Sequence, residues 1–168
     1  MCGKEQLSPS LDQLQKCIAQ LSDATLSAPI NQKWTTLQHL YHCWMVERGV
    51  LAYIKLKTQD PSALVPVQFK TRFKFYLFFV LLRLGWLRVQ APQVVQEFPE
   101  EMNRNDLFER WKNTRDEWQL LLTNLPDEIA SKGIFKHVYI GRLNKGLALS
   151  FLTQHLAHHL RLCALKTN

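Results

Sequence analysis

The chain has 168 residues, 46% of them hydrophobic and 21% charged, and 21 Lys+Arg against 14 Asp+Glu leave a formal net charge of +7. That length suits a single domain over residues 1–168, and the composition is that of a globular chain, not a disordered or fibrous one. The basic residues are scattered and no recognition motif accompanies them, so specific nucleic-acid binding is not expected.

The first predicted helix spans about 10–23: Ser10 suits an N-cap, and Leu11, Leu14, Ile18 and Leu21 recur at helical spacing. Pro29 interrupts the path into the second, about 34–57, which Asp60 and Pro61 end. The third covers about 67–84 and stops at Gly85. Its run 75–82 falls well short of the roughly 20 residues of a membrane span, so no membrane partner is expected. Phe73, Phe75, Tyr76, Phe78 and Phe79, with the neighbouring aliphatics, exceed what one buried face needs. Part of that surface is therefore expected to meet a second subunit, as a homodimer.

Ala91-Pro92 and Phe98-Pro99 mark an extended connection over 86–104, long enough to cross the molecule or roof a pocket. The fourth helix, about 105–125, carries Leu107, Trp111, Trp118, Leu121 and Leu122 and is closed by Pro126. An irregular segment, 132–143, precedes the last helix, about 145–165, with Asn144 as its N-cap and Leu143 stapled behind it. Strand-type alternation is nearly absent. The predicted fold is all-α: an antiparallel four-helix bundle with one additional helix.

Four cysteines (Cys2, Cys17, Cys43, Cys163) show no CxxC pairing and no secretory signal is read before them, which points to a reduced, cytoplasmic setting. No Ser-His-Asp series, phosphate loop or dinucleotide fingerprint is present. The chemistry lies in the histidines. QHLAHHLRL places three of them within five residues, and His155 and His159, four apart, project from one helical face with Ala148, Phe151, Leu152 and Leu162. Polar rings in a core need partners. Those partners are either hydrogen bonds or a metal, and a catalytic metal wants a third protein ligand.

Helix two supplies the candidates in HLYHCWMVE: His39, His42, Cys43 and Glu47. His42 shares an inward stripe with Val46, Gly49 and Tyr53, and Gly49 is expected to leave space beside it. His39 lies about 60° round the helix and is the weaker candidate; Cys43 reads as a buried inert thiol. Glu47 sits among apolar neighbours about 140° from His42, where it either orients a ligand, acts as a general base, or pairs with an arginine. His137, Tyr139 and Arg142 are candidates for the pocket mouth, with Arg142 able to grip an anionic group; loop packing and solvation are the alternative.

WTTLQHLYHCWMVE resembles the second helix of the DinB-like (YfiT-like) metal-binding family, and HVYIGRLNKGLALSFLTQHLAHHL resembles its final loop and helix. RLGWLRVQAPQVV is similar to the connection after its third helix. The resemblance implies a four-helix bundle, often dimeric, with a divalent metal (Ni, Zn, Fe, Mn or Co) held by one histidine of helix two and two of the last helix. By position these are His42, His155 and His159, and His158 would not be a ligand. The chain departs from the family pattern at Asn144, where Ser or Thr is usual. The resemblance further implies a metal-dependent transferase or isomerase using a low-molecular-weight thiol on a small-molecule substrate, or a metal-activated hydrolase. The competing expectation is a non-catalytic, stress-related metal-binding bundle that holds a ligand or partner without turnover.

Overall fold

The computed structural model describes residues 7, 10–30, 33–87, 89 and 93–165. Among these the fold is all-α apart from one small hairpin. The Ala91-Pro92 pair, Cys2 and part of the RLGWLRVQAPQVV segment lie outside the described residues.

Helix α1 (Leu11–Ala19) opens as expected, with a capping box in which Ser10 and Gln13 exchange side-chain to backbone hydrogen bonds of 3.0 and 3.2 Å. It ends short of 23 because Ser22 accepts from the Thr25 amide and caps a separate helix, α2 (Asp23–Ser27); a serine side chain here competes with helix continuation. A second capping box, Thr35 with Gln38, starts α3 (Thr36–Lys57). Trp34 therefore precedes the helix instead of opening it.

Helix α4 (Phe69–Arg83) ends in a Schellman arrangement. Trp86 N–H donates to the Leu81 carbonyl (3.0 Å) and Gly85 N–H to that of Leu82 (3.2 Å), which requires the left-handed backbone Gly85 adopts at φ +74°. Helices α5 (Arg104–Asn124) and α6 (Asp127–Ser131) follow, the first capped by Asn103, the second set off by Pro126.

The segment expected to be irregular forms an antiparallel hairpin, β1 (Phe135–His137) and β2 (Gly141–Leu143), before α7 (Lys145–Leu162). Its three-residue strands are too short to register as alternation. The turn is held by a side chain: His137 Nδ1 accepts from the amides of Tyr139 (3.3 Å) and Ile140 (3.4 Å). Asn144 caps α7 by accepting from Leu147 N–H at 3.0 Å.

Helix α3 is the central element, packed against α7, α5 and α2; α4 lies on α7 and α1 on α5. A helix in that position is buried on several sides, which is why α3 lacks a clean apolar stripe. Two apolar clusters fill the interior. One contains Val50, Ile54, Phe75, Trp118, Ile134, Leu143 and Leu152; the other contains Leu14, Ile18, Leu40, Trp44, Leu107, Trp111 and Leu160. Along α7 the change from one cluster to the other falls between Leu152 and Leu156, where His155 stands. Among the described residues no helix is long and apolar enough to cross a membrane.

The expectation for Gly49 fails. Gly49 is exposed, and a Cβ built on it meets nothing within 4 Å, so it opens no space beside His42. Periodicity places Gly49 on the stripe of His42, but among the described residues no other element reaches α3 at that position. Leu162, read as part of the α7 stripe, is likewise 47% exposed in that helix's last turn.

Candidate metal centre

The packing of α3 on α7 brings His42, His155 and His159 together. One ring nitrogen from each lies within 4.8 Å of the others, an arrangement that could hold a metal ion. His42 and His159 are buried and His155 is partly so. Among the described residues no carboxylate or thiol joins the cluster.

The orientation of each ring follows from its hydrogen bonds. His42 Nδ1 lies 2.8 Å from the Val95 carbonyl oxygen. A carbonyl only accepts, so Nδ1 carries the proton and Nε2 presents a bare lone pair. That Nε2 faces His155 Nε2 at 3.2 Å. Two ligand nitrogens about 2.0–2.1 Å from a tetrahedral ion would stand about 3.3 Å apart. The donor set therefore fits a transition metal in chemistry, and the His42–His155 pair fits one in spacing. In the metal-free protein one proton must sit between these two nitrogens, on His155 Nε2, and for His155 to hold an ion as a neutral ring that proton would have to move to its Nδ1.

The third ring makes a different contact: His159 Nδ1 lies 2.9 Å from His39 Nδ1. His39, the weaker candidate by periodicity, is buried and belongs to the same histidine network, although it is not one of the three clustered nitrogens. Trp34 walls this side, its ring 5.1 Å from that of His42 and 5.4 Å from that of His39, with Phe98 against it at 5.2 Å. On the far side Phe151 stacks on His155 at 5.6 Å and meets the ring of His137 at 4.7 Å. Val95 and Phe98 both come from the 86–104 connection, so this connection does cover the histidines.

Burial disfavours the imidazolium throughout the cluster. It pushes His42 down, with the Val95 bond opposing, and holds His155 well below its usual range, reinforced by His42, His158 and His137. His159 is lowered by burial and then by His155, His42, His39 and His158; His39 falls to about 4 through burial and its neighbours His42 and His158. Neutral imidazoles with free lone pairs are the form a metal requires.

A family model of the DinB superfamily matches residues 6–163. The chain belongs to the DinB superfamily. No curated protein and no solved structure matches it. In this DinB protein His158 packs edge-on against His159 (5.3 Å) without entering the cluster.

Glu47 of the DinB protein is 3% exposed and takes the arginine alternative: it pairs with Arg115, and Trp111 Nε1–H donates to its Oε2 at 2.9 Å. Burial raises its pKa, while Arg115 and Trp111 oppose the shift. Arg142 is exposed and pairs across the hairpin with Lys136, and its side chain lies over Gly133. Tyr139 is 56% exposed and stacks on Phe78 at 6.1 Å. His137 is buried behind Phe151, which lowers its pKa to about 4. Cys43 is fully enclosed and its thiol is held well above the ordinary range; burial also raises Cys163, to about 11. Neither is primed as a nucleophile.

Sequence reasoning passed over Trp34, Val95 and the role of His39. Trp34 was readable only as a helix start, and a backbone carbonyl leaves no mark in a sequence. His39 did carry a signal, since two histidines three apart share one helical turn.

Proposed function

We propose that the protein is a metal-dependent enzyme in which His42, His155 and His159 hold one divalent transition ion, Ni, Zn, Fe, Mn or Co, and which acts on a small-molecule substrate. The observation that carries this reading is the pair of facing Nε2 atoms 3.2 Å apart, that of His42 left bare because its Nδ1–H donates to the Val95 carbonyl. Bound there, an ion with three nitrogen ligands offers Lewis acidity at a position open to a water, a thiol or a carbonyl. The reaction class is transfer or isomerisation with a low-molecular-weight thiol, or hydrolysis. His42 and His159 enter it as neutral ligands already turned by their Nδ1 contacts; Trp34, Phe98 and Phe151 restrict water around them. Arg142 and Tyr139, on the hairpin, are the groups proposed to meet the substrate's polar end.

The second reading is a bundle that binds metal without turnover. It is favoured by Glu47 being engaged by Trp111 and Arg115, which leaves no carboxylate beside the three histidines among the described residues. The reading also includes a single domain, a cytoplasmic setting, consistent with Cys17, Cys43 and Cys163 as free thiols, and a homodimer. Support for the homodimer is the outward face of α4, where Phe69, Phe73, Tyr76 and Val80 are all more than half exposed, as is Leu84 just after it. Sedimentation of the parent beside Phe73→Glu checks it: a dimer that dissociates is expected, and a monomeric parent overturns it.

The deciding experiment is elemental analysis of the untagged protein and of a His42→Ala/His155→Ala/His159→Ala variant, before and after reconstitution with Zn or Ni. About one ion per chain in the parent and none in the variant is expected, as three protein ligands for one ion require. No metal in the reconstituted parent would refute the ligand assignment. Turnover of thiol-and-electrophile and ester panels, dependent on the ion, then separates enzyme from binder.

A further inference from the structure

We infer that His39 is a positioning residue for His159: it accepts a hydrogen bond from His159 Nδ1–H and so leaves His159 Nε2 as the nitrogen available to an ion. The inference rests on the metal reading above and deepens it.

The carrying observation is the 2.9 Å between His39 Nδ1 and His159 Nδ1. Two ring nitrogens at that distance share one proton, so one donates and the other accepts. If His39 donated, the neutral His159 ring would place its own proton on Nε2 and lose the lone pair an ion needs. Only the opposite assignment leaves Nε2 of a neutral His159 free to ligate: His159 donates from Nδ1 and His39 accepts. His42 obeys the same logic with a different acceptor, the Val95 carbonyl at 2.8 Å. Two of the three ligands are thus turned by an acceptor on Nδ1, one from backbone and one from a side chain. Acceptors of this kind orient metal-bound imidazoles and raise their basicity.

The placement of His39 suits that task and not ligation. It precedes His42 by three residues on α3, just under one turn, so its ring meets His159 from beside the ion's position. The three nitrogens that cluster within 4.8 Å include none from His39. Its ring is fixed on the other side by Trp34, edge-on at 5.4 Å, and it is only 8% exposed, so water is a poor competitor for His159 Nδ1–H.

The test compares His39→Phe, which fills the ring volume without an acceptor, with His39→Asn, whose Oδ1 stands near the Nδ1 position. Affinity for Zn is measured on the full chain by competition with a chromophoric chelator, and thermal stability is measured on the metal-free forms. The expected result is a loss of about 10–100-fold in Zn affinity for His39→Phe, largely restored in His39→Asn, with one ion per chain in both. Long-range proton–nitrogen spectra of the Zn-loaded parent should show His159 protonated at Nδ1. Equal Zn affinity in parent and His39→Phe would overturn the inference, as would coordination of His159 through Nδ1. A His39→Phe protein that binds no Zn and is not rescued by His39→Asn would make His39 a ligand instead, which also overturns it. Should His39→Phe fail to fold, the His159 spectrum alone decides. A parent that binds no Zn at all is a different failure, that of the metal reading itself.

Discussion

Among the polar groups that helix α3 buries, His42 and Glu47, five residues apart, are treated in opposite ways. Glu47 is given its counter-charge and a donor by the protein itself, Arg115 and Trp111, both from α5. His42 is given one partner, the Val95 carbonyl, on the nitrogen away from the cluster, while its other nitrogen faces a second imidazole. The first arrangement is closed, because everything the carboxylate needs is folded in with it. The second is complete only with a proton or an ion between like groups. A buried polar residue whose partners come from within belongs to the fold; one that faces its own kind points to something brought from outside.

The comparison can be broken most forcefully at Glu47. Removing Arg115, as Arg115→Leu, leaves a buried carboxylate without its cation and should cost roughly 3–5 kcal/mol. Denaturant unfolding of the metal-free protein measures it, and a loss below about 1 kcal/mol would mean that the pair is not part of what holds α3 to α5. The histidine cluster should answer to metal instead. At a free Zn concentration about a thousandfold above the dissociation constant, the parent should gain about 4 kcal/mol. His155→Asn should gain nothing, while Arg115→Leu, if it folds, should still respond. A Zn-dependent gain that survives His155→Asn would move the ion elsewhere.

A third buried group sharpens the contrast by pH. His137 is neutral because burial takes its pKa to about 4, against 6.5 for the free side chain. The folded value is the lower one, so its contribution is present above pH 6.5 and drains away as pH falls through about 4. By linkage it amounts to up to about 3 kcal/mol. Protonation would also turn Nδ1 into a donor facing two amide donors, so protection of the Tyr139 and Ile140 amides from hydrogen exchange should fall first. His137→Asn, which keeps an acceptor that does not titrate, should remove the pH dependence of those two amides. Unchanged protection at pH 4 in the parent would show that the turn does not depend on the neutral ring.

The smallest effect belongs to Gly49, which neither group uses. Gly49→Ala adds a methyl into open space on a helix and should stabilise by about 0.5–1 kcal/mol with no change in Zn affinity. A fall in affinity would restore Gly49 to the site.

Residue type and spacing were enough for the long helices and the ligand candidates, but not for the short helices α2 and α6 or the hairpin. Caps at Ser10 and Asn144 and the stop at Gly85 are local, set by side-chain to backbone bonds over three or four residues or by one positive φ, and they stand where periodicity and residue type put them. The i, i+4 spacing of His155 and His159 carries their shared face for the same reason. Which groups meet across the chain was settled by packing alone. Val95 and His42 are 53 residues apart, Glu47 and Trp111 are 64 apart, and His39 and His159 are 120 apart. The exposure of Gly49 likewise depends on which elements reach that side of α3. A helical period fixes the direction of a side chain relative to its own axis. It holds no information about the acceptor, counter-charge or solvent waiting there, because those arrive from other elements once the core has packed.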